Sequence, residues 1–163
     1  MPRWWERADV RRPPPRANGR RLPAAEQRWC VVAHLSPLPV LGLGMALTGR
    51  PIVWLALFLP VGPLIMTALS RSASWRVRLH ISEALNFNLT IALATLATAL
   101  GLSLIGRTPS TMLLLPVLLL LLLLLAVNWL VLLTLAAIEA GRGLTFRYPA
   151  IIRIVRPPSP PGR

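Results

Sequence analysis

Apolar residues in this 163-residue chain are gathered into blocks that are long enough to cross a lipid bilayer. The longest block runs from about Thr111 to Ile138 and contains eight consecutive leucines, Leu118 to Leu125. About 20 apolar residues in a helix cover the roughly 30 Å hydrocarbon core of a membrane. Hydrophobic residues make up 55% of the chain, which is more than soluble domains usually hold. The pattern therefore predicts an all-α polytopic membrane bundle.

Four such blocks predict about four transmembrane helices. Their expected ranges are about 29–48, 52–69, 83–105 and 111–138, and an interfacial segment, 144–156, follows the last of them. The rest of the chain is expected to form a disordered basic cytoplasmic tail, 1–28, and a Pro-rich tail, 157–163. Pro60 and Pro63 interrupt the second block, because proline removes a backbone donor from a helix. That block is expected either to span the membrane or to enter and leave it on one side.

Arginine sets the expected orientation of the bundle. The chain has 18 basic residues, all of them arginine, and a net charge of +13. Sixteen arginines lie in the N-terminal tail, the 70–82 loop and the C-terminal part, whereas Arg50 and Arg107 alone occupy the other two turns. Because basic flanks are retained in the cytoplasm, both termini are predicted to be cytoplasmic, with the protein in the plasma (inner) membrane. The same placement argues against binding to nucleic acid.

Metal and cofactor chemistry find little support in the sequence. Cys30 is the only cysteine, so neither a disulfide framework nor a thiolate metal cluster can form within the chain. His80 and Glu83 are three residues apart and are potential metal ligands, but a bundle metal site needs carboxylates repeated on other helices. No metal and no cofactor are therefore predicted. The chain is also expected not to be an enzyme, because no nucleophile–histidine motif is present.

Polar side chains converge near the expected cytoplasmic ends of the helices. We define the polar cluster as His34, His80, Glu83, Asn86 and Glu139. A lone ionised carboxylate is unfavourable at the membrane boundary, so Glu83 is expected to find a histidine, arginine or amide partner or to take up a proton. Three roles are open: fixing helix register and closing the bundle, forming a binding or conducting site, and catalysis. The first role is favoured, and catalysis fits the residues least.

One face of the third predicted helix is small or polar. At 100° per residue this packing face consists of Phe87, Thr90, Ala94, Ala97 and Gly101. Small faces let helix backbones approach closely in lipid, so the packing face is expected to turn toward the bundle interior and the opposite leucine side toward lipid. Asn88 lies off this face and is a candidate for contact with another helix. Asn128 is expected to lie well inside the bilayer, where only a hydrogen-bonding partner can stabilise its side chain.

Three motifs resemble those of one membrane-protein family. They are His-Leu-Ser at 34–36, His-x-x-Glu-Ala-Leu-Asn-Phe at 80–87, and Gly-x-x-Phe-Arg-Tyr-Pro at 143–149, which contains Arg147, Tyr148 and Pro149. On these motifs, residues 28–156 are similar to small bacterial multi-pass proteins of unknown function related to the Tic family. That family takes its name from the twenty-kilodalton subunit of the chloroplast inner-envelope protein translocon. The resemblance implies a multi-pass membrane fold and a distant link to protein translocation.

Two functional hypotheses follow from these patterns. The first is a non-enzymatic membrane subunit that binds partner helices, as the packing face and the resemblance indicate. The alternative is a small oligomeric transporter or channel that uses the polar cluster as its pathway. Four short helices leave little room for a pathway within one copy, so the alternative requires self-association. The expected partners are the lipid bilayer and either another membrane protein or further copies of this chain.

Overall fold

The described part of the chain is entirely helical apart from its connections and its C-terminal end. The computed structural model describes residues 22–48, 56–104, 109–149 and 151–156. These residues form helices α1 (Ala24–Leu35), α2 (Pro37–Thr48), α3 (Val61–Leu69), α4 (Trp75–Leu104) and α5 (Leu115–Gly141), with 3₁₀ turns at Ala56–Phe58 and Pro109–Leu114. No strand occurs within these ranges, so the predicted all-α class is confirmed. Residues 1–21 and 157–163 of the predicted tails lie outside the described residues.

The first predicted helix, 29–48, is two helices rather than one. It begins at Ala24, directly after Pro23, so the end of the predicted disordered tail is helical. The axis bends by 41° between α1 and α2. Pro37 and Pro39 explain the bend, because proline lacks the backbone donor and its ring crowds the carbonyl four residues earlier. Ser36 Oγ, at the break, donates a 3.0 Å hydrogen bond to the Ala33 carbonyl and so satisfies one of the freed acceptors.

The second predicted helix, 52–69, is represented by a 3₁₀ turn and the short helix α3. Residues 51–55 lie outside the described part of the chain. Gly62 approaches the α1–α2 break so closely that a Cβ atom built there would lie 2.6 Å from the Ser36 carbonyl oxygen. Only glycine permits this contact. The short helix therefore packs directly across the bend.

The two long helices start and end differently from the predicted ranges 83–105 and 111–138. Helix α4 begins at Trp75, because 75–82 contains no glycine or proline and its arginines are good helix formers. Helix α5 begins at Leu115, after a 3₁₀ turn, and ends at Gly141. Gly143 follows with φ 76°, and the Leu144 N–H donates to the Glu139 carbonyl. This hydrogen bond and the left-handed glycine form a Schellman cap, which stops the helix as its glycines predicted.

Two helices are long and apolar enough to cross a membrane, namely the stretches Trp75–Ser103 and Met112–Gly141. The bent pair Ala24–Leu35 and Pro37–Leu47 qualifies as a third span when it is counted as one broken helix. The remaining segment, Ala56–Leu69, is a shorter apolar helix. The predicted membrane bundle thus has two or three candidate spans in the described residues, and the count of four stays a prediction.

One end of the bundle is the best packed part of the fold. There the side chains of α1, the end of α3, the start of α4 and the end of α5 meet around Cys30, Met66, Val77, Ile81 and Ala140. A second core lies beside it, around Phe87, Ile91, Trp129, Leu133 and Tyr148. Helix α5 otherwise packs little: 6% of its most apolar stretch is buried, against 39% for α4. This closely packed end carries most of the predicted polar cluster.

The predicted interfacial segment, 144–156, has no helix in its described residues. We call residues 144–149 and 151–156 the C-terminal strap. Ile152 contacts Thr90 and Val155 contacts Asn86, so the strap runs antiparallel to α4. Non-helical backbone at membrane depth is stable only where protein or water satisfies its polar groups. Side chains of α4 supply those partners here.

Candidate functional site

Three aromatic side chains are linked by hydrogen bonds across the closely packed end of the bundle, which we call the closed end. The Tyr148 hydroxyl lies 2.9 Å from His34 Nδ1, and His34 Nε2 lies 3.0 Å from His80 Nδ1. These residues come from the strap, α1 and α4, which the sequence separates by up to 114 positions. His34 is fully buried, and His80 and Tyr148 expose only 1% and 2% of their surface. We call this arrangement the Tyr–His–His chain.

The phenol of Tyr148 decides how protons are arranged along the chain. Burial, and next to it the negative charge of Glu83, raise the pKa of the Tyr148 hydroxyl well above its ordinary value, so it keeps its proton. Its O–H then donates to His34 Nδ1, and His34 Nε2–H donates to His80 Nδ1. In the reverse arrangement the phenol proton would have no acceptor among the described residues. The favoured arrangement therefore leaves the proton of His80 on Nε2.

Glu83 lies next to this chain and is almost completely buried. Its Oε1 atom is 3.6 Å from Nε of Arg153, a strap residue whose side chain is 48% exposed. Within the described residues, neither Glu83 Oε2 nor His80 Nε2 has a hydrogen-bond partner. Glu83 Oε2 is an acceptor, and His80 Nε2 carries a donor proton in the favoured arrangement. The charged partner of Glu83 is therefore Arg153, which is not a member of the predicted polar cluster.

Asn86 fastens the strap to α4. Its Nδ2 donates a 2.8 Å hydrogen bond to the Val155 carbonyl, and the Val155 N–H donates a 2.8 Å hydrogen bond to its Oδ1. One amide thus satisfies both backbone groups of one residue, as a neighbouring strand would. The Ile152 N–H donates to Thr90 Oγ1 at 3.0 Å, one turn further along α4.

Aromatic stacking completes the attachment of the strap. The rings of Phe87 and Tyr148 are stacked, with centroids 4.0 Å apart and an interplanar angle of 8°. Phe146 meets Tyr148 edge to face at 5.0 Å. Stacked and edge-to-face pairs of this kind add to the stability gained from burial alone. Phe87 of α4 therefore holds in place the phenol that bonds His34.

Asn88 links α4 to α5, as its position off the packing face predicted. Trp129 Nε1 of α5 donates a 3.0 Å hydrogen bond to Asn88 Oδ1, and Asn88 Nδ2 donates to the Ala84 carbonyl. Asn88 is fully buried and Trp129 is 9% exposed. This polar contact between two helices fixes their relative position, because a buried amide left unpaired is costly in an apolar setting.

The structure brings together most of the predicted polar cluster but not all of it. His34 and His80 are in direct contact, and Glu83 and Asn86 both bond the strap. Glu139 instead pairs with Arg142 at 3.1 Å on the surface of its own helix end, three residues away. The short spacing makes this local ion pair available at once, which explains why the carboxylate does not join the cluster.

The predicted packing face is only partly turned inward. Phe87 is buried, and Thr90 and Ala94 are half-buried. A Cβ atom added to Gly101 would meet Leu118 of α5 at 3.4 Å, which marks a close helix contact there. Ala97 is exposed, because α5 covers only part of this length of α4.

Sequence reasoning missed the strap contacts of the site. Within the predicted motif, Tyr148 is buried, whereas Arg147 and Pro149 are exposed. The partnership of Tyr148 with His34, and those of Arg153 and Val155 with α4, had no periodic signal, because the strap has no regular secondary structure. The motif at 143–149 marked the right place without indicating the contact.

Two cavities of the described chain, one of about 150 Å³ beside Trp129 and one of about 300 Å³ beside Glu26 and Ser70, are lined by residues outside the Tyr–His–His chain. Among the described residues, no group of three or more His, Cys, Asp or Glu side chains could hold a metal ion. Apart from His80 Nε2 and Glu83 Oε2, the polar atoms of the Tyr–His–His chain, Glu83 and Asn86 contact one another or the strap.

Comparison with known families adds the decisive observation. The family model of MamF/MmsF, described as the magnetosome magnetite crystal formation protein family, matches residues 25–155. The chain belongs to the MamF/MmsF family. The match extends from the first turn of α1 through most of the strap, so it covers the whole closed end of the bundle. No curated protein and no solved structure matches the chain.

The predicted resemblance to the Tic family is wrong. The family that matches is MamF/MmsF, and no relationship to Tic proteins is found. The three motifs on which the resemblance rested lie instead in the structural attachments of the closed end: His34 and His80 in the Tyr–His–His chain, Asn86 on the strap, and Tyr148 within it. The link to protein translocation, which only that resemblance implied, is therefore not supported.

Proposed function

We propose that this chain is an integral protein of the magnetosome membrane that supports magnetite crystal formation as a non-enzymatic subunit. The observation that carries the proposal is the MamF/MmsF match over residues 25–155, which includes every α-helix of the described chain except the first residue of α1. Its candidate spans and long apolar helices support a position within a membrane. The proposed location is the magnetosome membrane, whereas the sequence prediction was the plasma membrane.

The non-enzymatic part of the proposal is supported by how the polar side chains are used. The Tyr–His–His chain, Asn86 and Asn88 bind three helices and the strap to one another. A buried polar network of this kind fixes helix register, because each misaligned arrangement would leave polar groups unpaired. We therefore assign His34, His80, Glu83 and Asn86 to closing the bundle.

Four membrane crossings with both termini in the cytoplasm remain our proposed topology. In support, the start of α1 and the α3–α4 connection lie at one end, where Ser74 Oγ donates to Glu26 Oε2 at 2.9 Å. The same packed core joins the end of α5 to them. Arginines flank this end at Arg28, Arg71 and Arg142, and cytoplasmic faces carry such an excess.

The proposal is tested in a magnetite-forming bacterium whose own family member has been deleted. We expect the wild-type chain to be found in purified magnetosome membranes and to restore crystal size and number, measured by electron microscopy. An empty vector serves as the control for expression. A chain lacking residues 144–156 serves as the control for an intact closed end. Crystals that stay defective although the wild-type chain is present in those membranes would contradict the proposed role. Absence of the chain from magnetosome membranes would contradict the location.

A further inference from the structure

A cavity of about 300 Å³ opens at the closed end, between the start of α1 and the α3–α4 connection. Its lining residues belong neither to the Tyr–His–His chain nor to the strap. We call it the α1–α4 cavity, and its lining includes Glu26, Trp29, Leu69, Ser70, Ser72 and Ser74. Sites for small ligands have this character, because they combine apolar and aromatic walls with a few polar groups that converge.

The α1 wall of the cavity is suited to a positive charge. Glu26 is half-buried, and its Oε2 accepts a 2.9 Å hydrogen bond from Ser74 Oγ, whereas its Oε1 has no hydrogen-bond partner within the described residues. Trp29 lies three positions later on α1 and therefore beside Glu26, with 46% of its surface exposed. A carboxylate next to a tryptophan ring binds an ammonium ion through an ion pair and through the π electrons of the ring.

The other wall, formed by the α3–α4 connection, carries groups that bind an anion. Ser72 lines the cavity, and its hydroxyl has no hydrogen-bond partner in the described part of the chain. Arg71 precedes it in the sequence and is exposed. Hydroxyl and guanidinium groups both donate hydrogen bonds to phosphate oxygens. The cavity therefore combines an acidic wall with a basic one.

Exposed apolar side chains border these polar walls. Leu69 is 64% exposed and Trp29 46%, and both lie at the end of the bundle that carries the arginines. Tryptophan is enriched at membrane surfaces, because its ring is apolar and its N–H group is polar. A soluble zwitterion would leave Leu69 uncovered, whereas a lipid headgroup brings acyl chains that cover it.

We propose that the α1–α4 cavity binds the headgroup of an aminophospholipid such as phosphatidylethanolamine. The ammonium group contacts Glu26 and Trp29. The phosphate contacts Arg71 and Ser72, and the acyl chains lie beside Leu69. An ethanolamine ammonium donates a hydrogen bond to Glu26 Oε1, which the trimethylated nitrogen of choline cannot do. A glycerol headgroup has no positive charge to offer this carboxylate, so the site selects ethanolamine over choline and glycerol.

This inference rests on the proposed membrane position and names a lipid ligand of the subunit. It does not depend on magnetite, so the two can fail separately. The crystal assay tests the biological role, and lipid binding by the purified chain tests the cavity.

Native mass spectrometry of the full-length chain measures the selectivity. Delipidated protein in detergent is titrated with phosphatidylethanolamine, phosphatidylcholine or phosphatidylglycerol, all with the same acyl chains. We expect phosphatidylethanolamine to bind about 3- to 10-fold more tightly than the other two, because one charge-assisted hydrogen bond is gained at a partly exposed carboxylate. Soluble phosphoethanolamine has the same charged groups without acyl chains and should bind about 10-fold more weakly than the lipid, because it leaves Leu69 uncovered.

Two replacements separate the two walls. E26Q keeps an acceptor for Ser74 but removes the charge, so it should abolish the preference for phosphatidylethanolamine. E139Q is the matched control, because Glu139 lies at the same end and is paired with Arg142, and it should leave the preference unchanged. R71Q should weaken all three lipids by about 2- to 5-fold without changing their order, because each of them has a phosphate. Arg71 is exposed, so thermal unfolding of R71Q without lipid should match the wild type.

Equal binding of the three lipids to the wild-type chain would overturn the proposal. A preference for phosphatidylethanolamine that E26Q retains, or lipid affinities that R71Q leaves unchanged, would do the same. Soluble phosphoethanolamine that binds as tightly as the lipid would show that the cavity is not a lipid site.

Discussion

Replacing Asn86 with alanine should release the C-terminal strap from α4 while leaving the helices in place. Asn86 is 1% exposed and makes two 2.8 Å hydrogen bonds to the backbone of Val155. A buried hydrogen bond contributes about 0.5–1.5 kcal/mol net, so the loss of two should cost about 1–3 kcal/mol. If the strap opens locally, its open population should rise about 5- to 150-fold.

Amide hydrogen exchange resolved by NMR in lipid nanodiscs measures this opening directly. The Val155 N–H loses its acceptor in N86A and should exchange about 5- to 150-fold faster than in the wild type. The Ile152 N–H, which donates to Thr90 Oγ1, reports whether the strap opens as one unit. An amide in the middle of α4, such as that of Leu96, reports global unfolding and should be unaffected.

N88A is the matched control, because Asn88 is also a buried asparagine of α4 but bonds Trp129. It should loosen the contact between α4 and α5 without changing exchange at Val155. Equal exchange at Val155 in N86A and the wild type would refute the assigned role of Asn86. Equal acceleration by N86A and N88A would show that the strap is not held by a specific amide.

Two further replacements test the closest contacts of the closed end. G62A should lower the free energy of unfolding by about 1–3 kcal/mol, because the added methyl group would lie 2.6 Å from the Ser36 carbonyl oxygen. G42A is the control and should not lower it, because a Cβ atom at Gly42 would have nothing within 4 Å. Equal thermal stability of the two variants in detergent would contradict this prediction. Y148F should cost about 1–3 kcal/mol in the same assay, because it leaves His34 Nδ1 buried without its donor. A change below about 0.5 kcal/mol would show that this hydrogen bond contributes little to stability.

Much of the helical architecture could be predicted from local pattern. Apolar length alone indicates membrane helices, because an element with unpaired backbone groups is not stable in lipid. The glycines after Glu139 predicted the end of α5, and Gly143 with its positive φ forms the cap. The prolines of the first block were visible, but the 41° bend and the division into α1 and α2 required the structure. How far a proline deflects a helix depends on what packs around it.

For the site, composition indicated which side chains would be costly to bury, and tertiary packing decided which partner each of them contacts. His34, His80 and Glu83 stood out because polar groups entering an apolar helix need partners. Their partners Tyr148 and Arg153 lie on a strap without periodicity, and Glu139, which seemed equally suitable, is held by Arg142 nearby. Local spacing along a helix can be read from the sequence because it follows from fixed backbone geometry. A contact between residues 114 positions apart cannot be read from the sequence in this way. It forms only when several packed segments together offset the entropy cost of bringing the two residues close.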